Sequence, residues 1–249
     1  MSETPARRMG EIPADDLAEL NAGRRETRNL VEGLAVDFRQ LLAAAAPDLS
    51  QAHLELAGIG LLQRMVAVAA ALRDQFGVEG HKQFATHPSD TVRGWSAFLI
   101  AGAQGLSLQK KLQLLRPLAD DRHFGVREWA WLAVRPAIVE NPERAIKILT
   151  PWTARESANL RRYASEITRP RGVWCSHIPL LKTEPERGLS ILEPLRSDPS
   201  QYVQNSVANW LNDAGKSQPK WVKSLCRRWG KESRTPNTAR ICKRAMRNL

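Results

Sequence analysis

The chain has 249 residues, 43% of them hydrophobic, and carries 37 Lys and Arg against 26 Asp and Glu, a net charge of +11. That length allows one large domain or two small ones with a sizeable core, and the charge points to a polyanionic partner. Three cysteines, Cys175, Cys226 and Cys242, none in C-x-x-C spacing, support neither a zinc knuckle nor a redox pair and fit a reducing cytoplasm.

In chain order, residues 1–27 read as an N-terminal extension without the apolar core of a secretory signal. The domain is expected to run from 28 to 249. Leu34, Phe38, Leu41 and Leu42 recur with the helical period, as do Leu112, Leu115 and Leu118 further on. Between them MVAVAAAL (65–72) is the most apolar run. It is too short to span a membrane and reads as a buried helix.

Four later segments repeat one another: HPSDTVRGWSAFLIAG, DRHFGVREWAWLAVRP, ESANLRRYASEITRP and DPSQYVQNSVANWLND. Each has a polar, cap-like start, an aliphatic anchor and an amphipathic helix. The anchors Val92, Val126, Leu160 and Val203 lie 34, 34 and 43 residues apart, and a fifth copy is expected near Ala239, 36 further on. Periods of this length, with no alternating strand pattern, predict an all-α fold. The fold expected is a right-handed-type α-solenoid of HEAT-like helix pairs with a concave ligand-binding face. From Lys216 to Leu249 eleven Lys and Arg face one acid, Glu232, so the tail over 216–249 holds almost all the net charge. It is either the footprint of a nucleic acid or a solvated basic helix pair.

With each anchor as position zero, positions 0, +3, +4 and +7 form the core stripe, for example Leu160, Tyr163, Ala164 and Ile167. Positions +2, +6 and +9 share another face. They are Glu128, Leu132 and Arg135 in the second copy, Arg162, Glu166 and Arg169 in the third, and Asn205, Asn209 and Asn212 in the fourth, with Asp213 immediately after. Stacked helices would align these into one candidate ligand face. Glu166 stands one turn from both Arg162 and Arg169. It is either a structural ion pair or a carboxylate kept ionised for chemistry. Arg169-Pro170-Arg171 ends the third helix. Trp174 then falls in a loop or at a helix start, as a plug for a helix pair or as an exposed aromatic beside arginines.

The segments HPSDTVRGW, VREWAWLAVRP, RRYASEITRPRGVW and SVANWLNDAGK, with LVEGLAVDFRQLL earlier, resemble the HEAT-like repeat alkylpurine DNA glycosylases, in particular the AlkC branch of the DNA alkylation repair proteins. The resemblance covers most of residues 28–216. It implies hydrolysis of the N-glycosidic bond of cationic N-alkylated purines, above all 3-methyladenine, in double-stranded DNA. It also implies a cytoplasmic, monofunctional enzyme with no metal, no cofactor, no membrane and no obligate protein partner. By motif position the family's active-site acids fall on Glu128, Glu166 and Asp213, its DNA-contacting arginine on Arg162 and its active-site tryptophan on Trp174. Arg169, Arg171, Asn209 and Asn212 complete the expected DNA-binding set. Ile167 departs from the family's Gly, and Gly172-Val173 from its common Leu-Pro. Some members carry an immunoglobulin-like domain after the repeats, where this chain has its basic tail. The competing reading is a HEAT-like scaffold that binds nucleic acid without catalysis; it needs the arginines but has no use for the three acids.

Overall fold

A computed structural model describes residues 5–249, and among them there is helix and no strand. The chain divides into two compact units at Val134/Arg135. The first holds α1 (Ala14–Asn21), α2 (Leu30–Ala35), α3 (Phe38–Ala45), α4 (Leu61–Phe76), α5 (His81–Phe84), α6 (Asp90–Gly102) and α7 (Leu108–Ala119). Helix α8 (Phe124–Glu140) contains the division. The second unit goes on through α9 (Pro142–Leu149), α10 (Ala158–Ile167), α11 (Pro179–Thr183), α12 (Leu189–Leu195), α13 (Gln201–Gly215), α14 (Pro219–Glu232) and α15 (Pro236–Ala245). No helix among the described residues is long and apolar enough to cross a membrane.

The stretch expected as an extension is described from residue 5 onward, and its later part packs into the first unit. Ala14–Asn21 is helical, and the Thr27 amide and hydroxyl both donate to the Asp90 carboxylate at 2.8 Å. The Thr27 carbonyl lies 2.7 Å from His123 Nε2. Two local readings change. Leu34 does not share a helix with Phe38, because Asp37 caps α3 by accepting from the amides of Arg39 and Gln40. Helix α4 is not buried all round: Met65, Val68, Ala69 and Leu72 are covered while Val66 is 50% exposed. Its run of alanines is apolar enough for either face.

The repeated segments are α6, α8, α10 and α13, and their anchors Val92, Val126, Leu160 and Val203 are all buried. The +3 and +7 aromatics Trp95, Tyr163 and Trp210 are buried with them. The arginine that follows the anchor in three of the four copies (Gln204 stands there in the fourth) has a definite job. In the first unit Arg93 donates to the carbonyls of His87 and Pro88, on the loop leading into its own helix, and to Asp121 at 2.9 Å. Asp121 in turn accepts from the His123 amide at 2.7 Å. The second unit repeats this arrangement. Arg161 donates to the carbonyls of Arg155 and Glu156 and to Asp198 at 2.6 Å, and Asp198 accepts from the Ser200 amide at 2.8 Å. Each such arginine closes its own loop and fixes the start of a later repeat, which accounts for the Asp and Arg of the repeat signature.

The fifth copy lies one residue earlier than its sequence suggests. Ala239 is exposed, and the buried stripe of α15 is Thr238, Ile241, Cys242 and Ala245. Thr238 occupies the anchor because its polarity is satisfied: its hydroxyl donates to the Arg196 carbonyl at 2.9 Å and stands within 3.0 Å of Thr235 Oγ1. The basic tail is thus a helix pair, with Val222, Leu225, Cys226 and Trp229 of α14 buried. Identical substitutions at the two neighbouring positions test this register. Thr238→Glu should lower stability by several kcal/mol in urea unfolding, while Ala239→Glu should stay within about 0.5 kcal/mol; the opposite order would restore Ala239 as the anchor.

Candidate functional site

The site builds from α10 and α13, which pack together in the second unit. Ser157 caps α10 by accepting from the Leu160 amide, and the helix ends at Ile167 ahead of Pro170. Glu166 lies on the last turn, 6% exposed. Its Oε1 accepts from Arg169 Nη1 at 2.6 Å, and its Oε2 accepts from the Ser206 hydroxyl at 2.7 Å, with Arg162 Nη2 3.6 Å away. Ser206 itself accepts from Ser165 at 2.8 Å. Asp213, on the last two turns of α13, is also buried. Its Oδ2 accepts from both Nε and Nη2 of Arg169 at 2.8 Å, while Oδ1 has Lys216 Nζ at 3.6 Å.

One guanidinium therefore stands between two carboxylates. Their environments shift them in opposite directions from their ordinary values. Burial raises the Glu166 carboxyl, but Arg162, Arg169 and the Ser206 hydroxyl outweigh it and hold the group below the ordinary glutamate range. Burial also raises Asp213, and there Arg169 and the more distant Lys216 offset only part, so it titrates above the ordinary aspartate value. Glu166 is a fixed negative charge. Asp213 is made more basic than an ordinary aspartate, and its Oδ1 is the less engaged oxygen. Perturbed titration of two neighbouring buried carboxyls is an arrangement that functional sites use.

The arginines of LRRYASEITRPRGVW divide their tasks. Arg161 belongs to the repeat scaffold described above. Arg162 lies over the Tyr202 ring at 4.7 Å as well as near Glu166. Arg169, expected on DNA phosphates, is committed to the two acids. Arg171 donates to the Asp213 carbonyl at 3.3 Å and to Ser217 Oγ at 2.7 Å, a cation at the C-terminal end of α13 where the helix dipole favours it.

Trp174 is 58% exposed, with Val173 beside it at 65%, so it plugs no helix pair. It stands on a loop closed by the Ile178 amide donating to the Pro170 carbonyl at 3.0 Å. Its φ of 62° is a left-handed conformation costly for a bulky residue. Gly172 keeps the turn tight: a Cβ there would meet Cys175 Sγ at 2.1 Å. Beneath the loop lies Arg135, 1% exposed, which sequence pattern placed on the ligand face without a role. It donates to the carbonyls of Ile167, Arg169 (2.7 Å) and Ser176 (3.0 Å). These are carbonyls at the end of α10 and across the Trp174 loop, so one buried side chain shapes both.

The other expected residues lie as follows. Glu128 is on α8, half-buried, and accepts from Trp131 Nε1 at 2.9 Å; it belongs to the first unit. Asn209 accepts from Arg247 at 3.1 Å. Asn212 is buried and ties α13 to the end of α15 and the residues after it, donating to the Ala245 carbonyl at 3.0 Å and lying 3.3 Å from Asn248. Among the described residues no cluster of three His, Cys, Asp or Glu is placed to hold a metal ion.

Residues 105–248 match the family model of DNA alkylation repair enzymes. The chain belongs to that family. It is 41% identical over 117 residues to the uncharacterized protein YhaZ of Bacillus subtilis (strain 168), a match covering 47% of this chain and 32% of that protein. Among solved structures it is similar to the Pseudomonas fluorescens alkylpurine DNA glycosylase AlkC bound to DNA containing an abasic site analog. There the TM-score is 0.69 and the identity 24%, over 98% of this chain and 65% of that one. It is also similar to AlkD2 from Streptococcus mutans, with a TM-score of 0.65 and 21% identity over 86% and 99% of the two chains. The all-α helical-repeat fold is that of these proteins. This member of the family spans only part of the length of YhaZ and of AlkC.

The Arg135 arrangement sets a stability test. Arg135→Met keeps the apolar stem but strands three carbonyls, each costing about 1–3 kcal/mol when buried and unpaired. Urea unfolding should show a loss of about 3 kcal/mol or more; an unchanged midpoint would mean that other donors replace it.

Proposed function

We propose that this protein is a DNA glycosylase that hydrolyses the N-glycosidic bond of cationic N-alkylated purines, 3-methyladenine foremost, in double-stranded DNA. The observation that carries the reading is the pair Glu166 and Asp213, buried, held by one arginine and shifted in opposite directions from their ordinary values. A scaffold gains little from such a pair, because paired buried charges are a poor source of stability. Family membership and the fold shared with AlkC support it.

The chemistry suits the charges. Alkylation at N3 gives the purine a positive charge, so the base leaves as a neutral molecule and needs no proton from the enzyme. As the C1′–N bond breaks, positive charge moves onto the deoxyribose, as in other glycoside hydrolyses. Glu166, fixed and ionised, stabilises that charge. Asp213, raised above the ordinary aspartate value and with the less engaged oxygen, takes a proton from the water whose oxygen bonds to C1′. Such base assistance contributes typically ~10²–10⁴-fold. The products are the free base and an abasic site. Glu128 is assigned as a third carboxylate by its place in VREWAWLAVRP alone. Trp174, presented to solvent in a strained conformation, stacks on the cationic base or the sugar. Arg162 and Arg171 hold backbone phosphates beside the site, and Arg169 positions the two acids.

The test is release of methylated bases from DNA treated with a methylating agent. Wild type should release 3-methyladenine. Glu166→Gln and Asp213→Asn should each lower the single-turnover rate by about 10²-fold or more while remaining folded. A folded wild type that binds DNA and releases nothing would establish the scaffold reading instead. Trp174 gives a second expectation. Trp174→Gly removes the left-handed strain and little buried surface, so stability should change by less than about 1 kcal/mol. Base release should nevertheless fall; full activity in this variant would take Trp174 out of the site.

A further inference from the structure

The corrected register of the fifth repeat has a consequence for its other face. With Thr238 as position zero, positions +2, +6 and +9 are Arg240, Arg244 and Arg247, three arginines where the third copy has Arg162, Glu166 and Arg169. Residues four apart share one side of a helix, which joins Arg240 and Arg244, and Arg247 lies in the turn just after α15. The face is contiguous with that of the fourth copy: Arg240 Nη2 donates to Asn205 at 2.8 Å, and Arg247 Nη2 donates to Asn209 at 3.1 Å. Arg244 and Arg247 are exposed, and Arg240 is half-buried.

The partners of these arginines set them apart from the carboxylate-paired arginines of the unit. Arg135 and Arg171 also have neutral partners, but those are mainly backbone carbonyls that they tie down at helix ends and in the Trp174 loop. Arg161, Arg169, Arg187, Arg196 and Arg228 all pair with carboxylates. Arg240 and Arg247 are oriented by neutral amide and carbonyl oxygens, and α15 contains no acid. Their direction is fixed while their charge is left uncompensated. The helix dipole explains a cation at Arg244, in the last turn of α15, but not at Arg240, which lies in mid-helix.

We propose that Arg240, Arg244 and Arg247 form a phosphate-binding row for the DNA backbone, reached from the Glu166–Asp213 site across the asparagine row of α13. The inference rests on the DNA reading above and adds to it the residues that extend the contact away from the reaction centre. Neighbouring guanidiniums without carboxylate partners, two of them oriented by neutral oxygens, suit successive phosphates, and each contact should release counterions on binding.

The experiment is the salt dependence of affinity for a short undamaged DNA duplex. Each phosphate contact contributes about 0.9 to the slope of log K against log salt. Arg244→Gln, which breaks no side-chain bond given above, should lower the slope by about 0.9, and the triple change to Gln by about two to three. The control is Lys231→Gln, the same change of charge at an exposed position on α14; it should leave the slope as it is. Thermal unfolding confirms that each variant is folded, and Arg244→Gln alone decides the matter should the triple variant fail to fold. An unchanged slope in Arg244→Gln, or an equal fall in Lys231→Gln, overturns the row while leaving the DNA reading intact. A wild type without salt-dependent DNA binding removes both.

Discussion

The Arg169 guanidinium is the point on which the second unit's chemistry turns. It reaches Glu166 from the turn after α10 and Asp213 at the end of α13, so it fixes two buried carboxylates that come from different helices. Neither acid could stay charged at such burial alone; the desolvation penalty is several kcal/mol per ion. The cost is met unequally. Glu166 has a second guanidinium nearby and a serine hydroxyl, whereas Asp213 has only a distant lysine besides Arg169. From that asymmetry follows the division proposed here between a permanently charged group and a basic one.

The scaffold around this point is made of the same residue type used differently. Arg161 links its own loop to Asp198, and Arg135 gathers the carbonyls of the α10 terminus and the Trp174 loop. Arginine suits both tasks because its planar fork can donate to several acceptors in fixed directions. A net positive chain is thus not uniformly a nucleic-acid surface. Much of its charge is spent on internal joints, while Arg240, Arg244 and Arg247, on and just after α15, have no carboxylate partner among the described residues.

What could be read from the sequence followed periodicity. The buried stripe through Leu160, Tyr163, Ala164 and Ile167 obeys the helical period, and so does the pairing of Glu166 with arginines four residues before and three after it. The partnership of Arg169 with Asp213 could not be read, because 44 residues separate them and only the packing of α10 on α13 brings them together. Ser206 carried a faint signal, a hydroxyl on an otherwise apolar stripe, which the structure explains by its bond to Glu166. Thr238 misled the register for a related reason: a polar side chain sits in the core because hydroxyl and carbonyl partners satisfy it. Asn209 and Asn212 looked like a free polar face until α15 and the residues after it were placed against them.

The claim that Arg169 sets the ionisation of both acids is tested most directly by the pH dependence of 3-methyladenine release under single turnover, in wild type and in Arg169→Gln. The acid side of the wild-type profile should follow Asp213, the carboxyl raised by burial. Removing the neighbouring cation raises the folded-state pKa of a carboxyl, so higher pH is needed to ionise it. The account therefore predicts that the acid limb of Arg169→Gln moves to higher pH. A limb that stays in place, or moves to lower pH, would show that Arg169 does not control these carboxylates and would contradict the account.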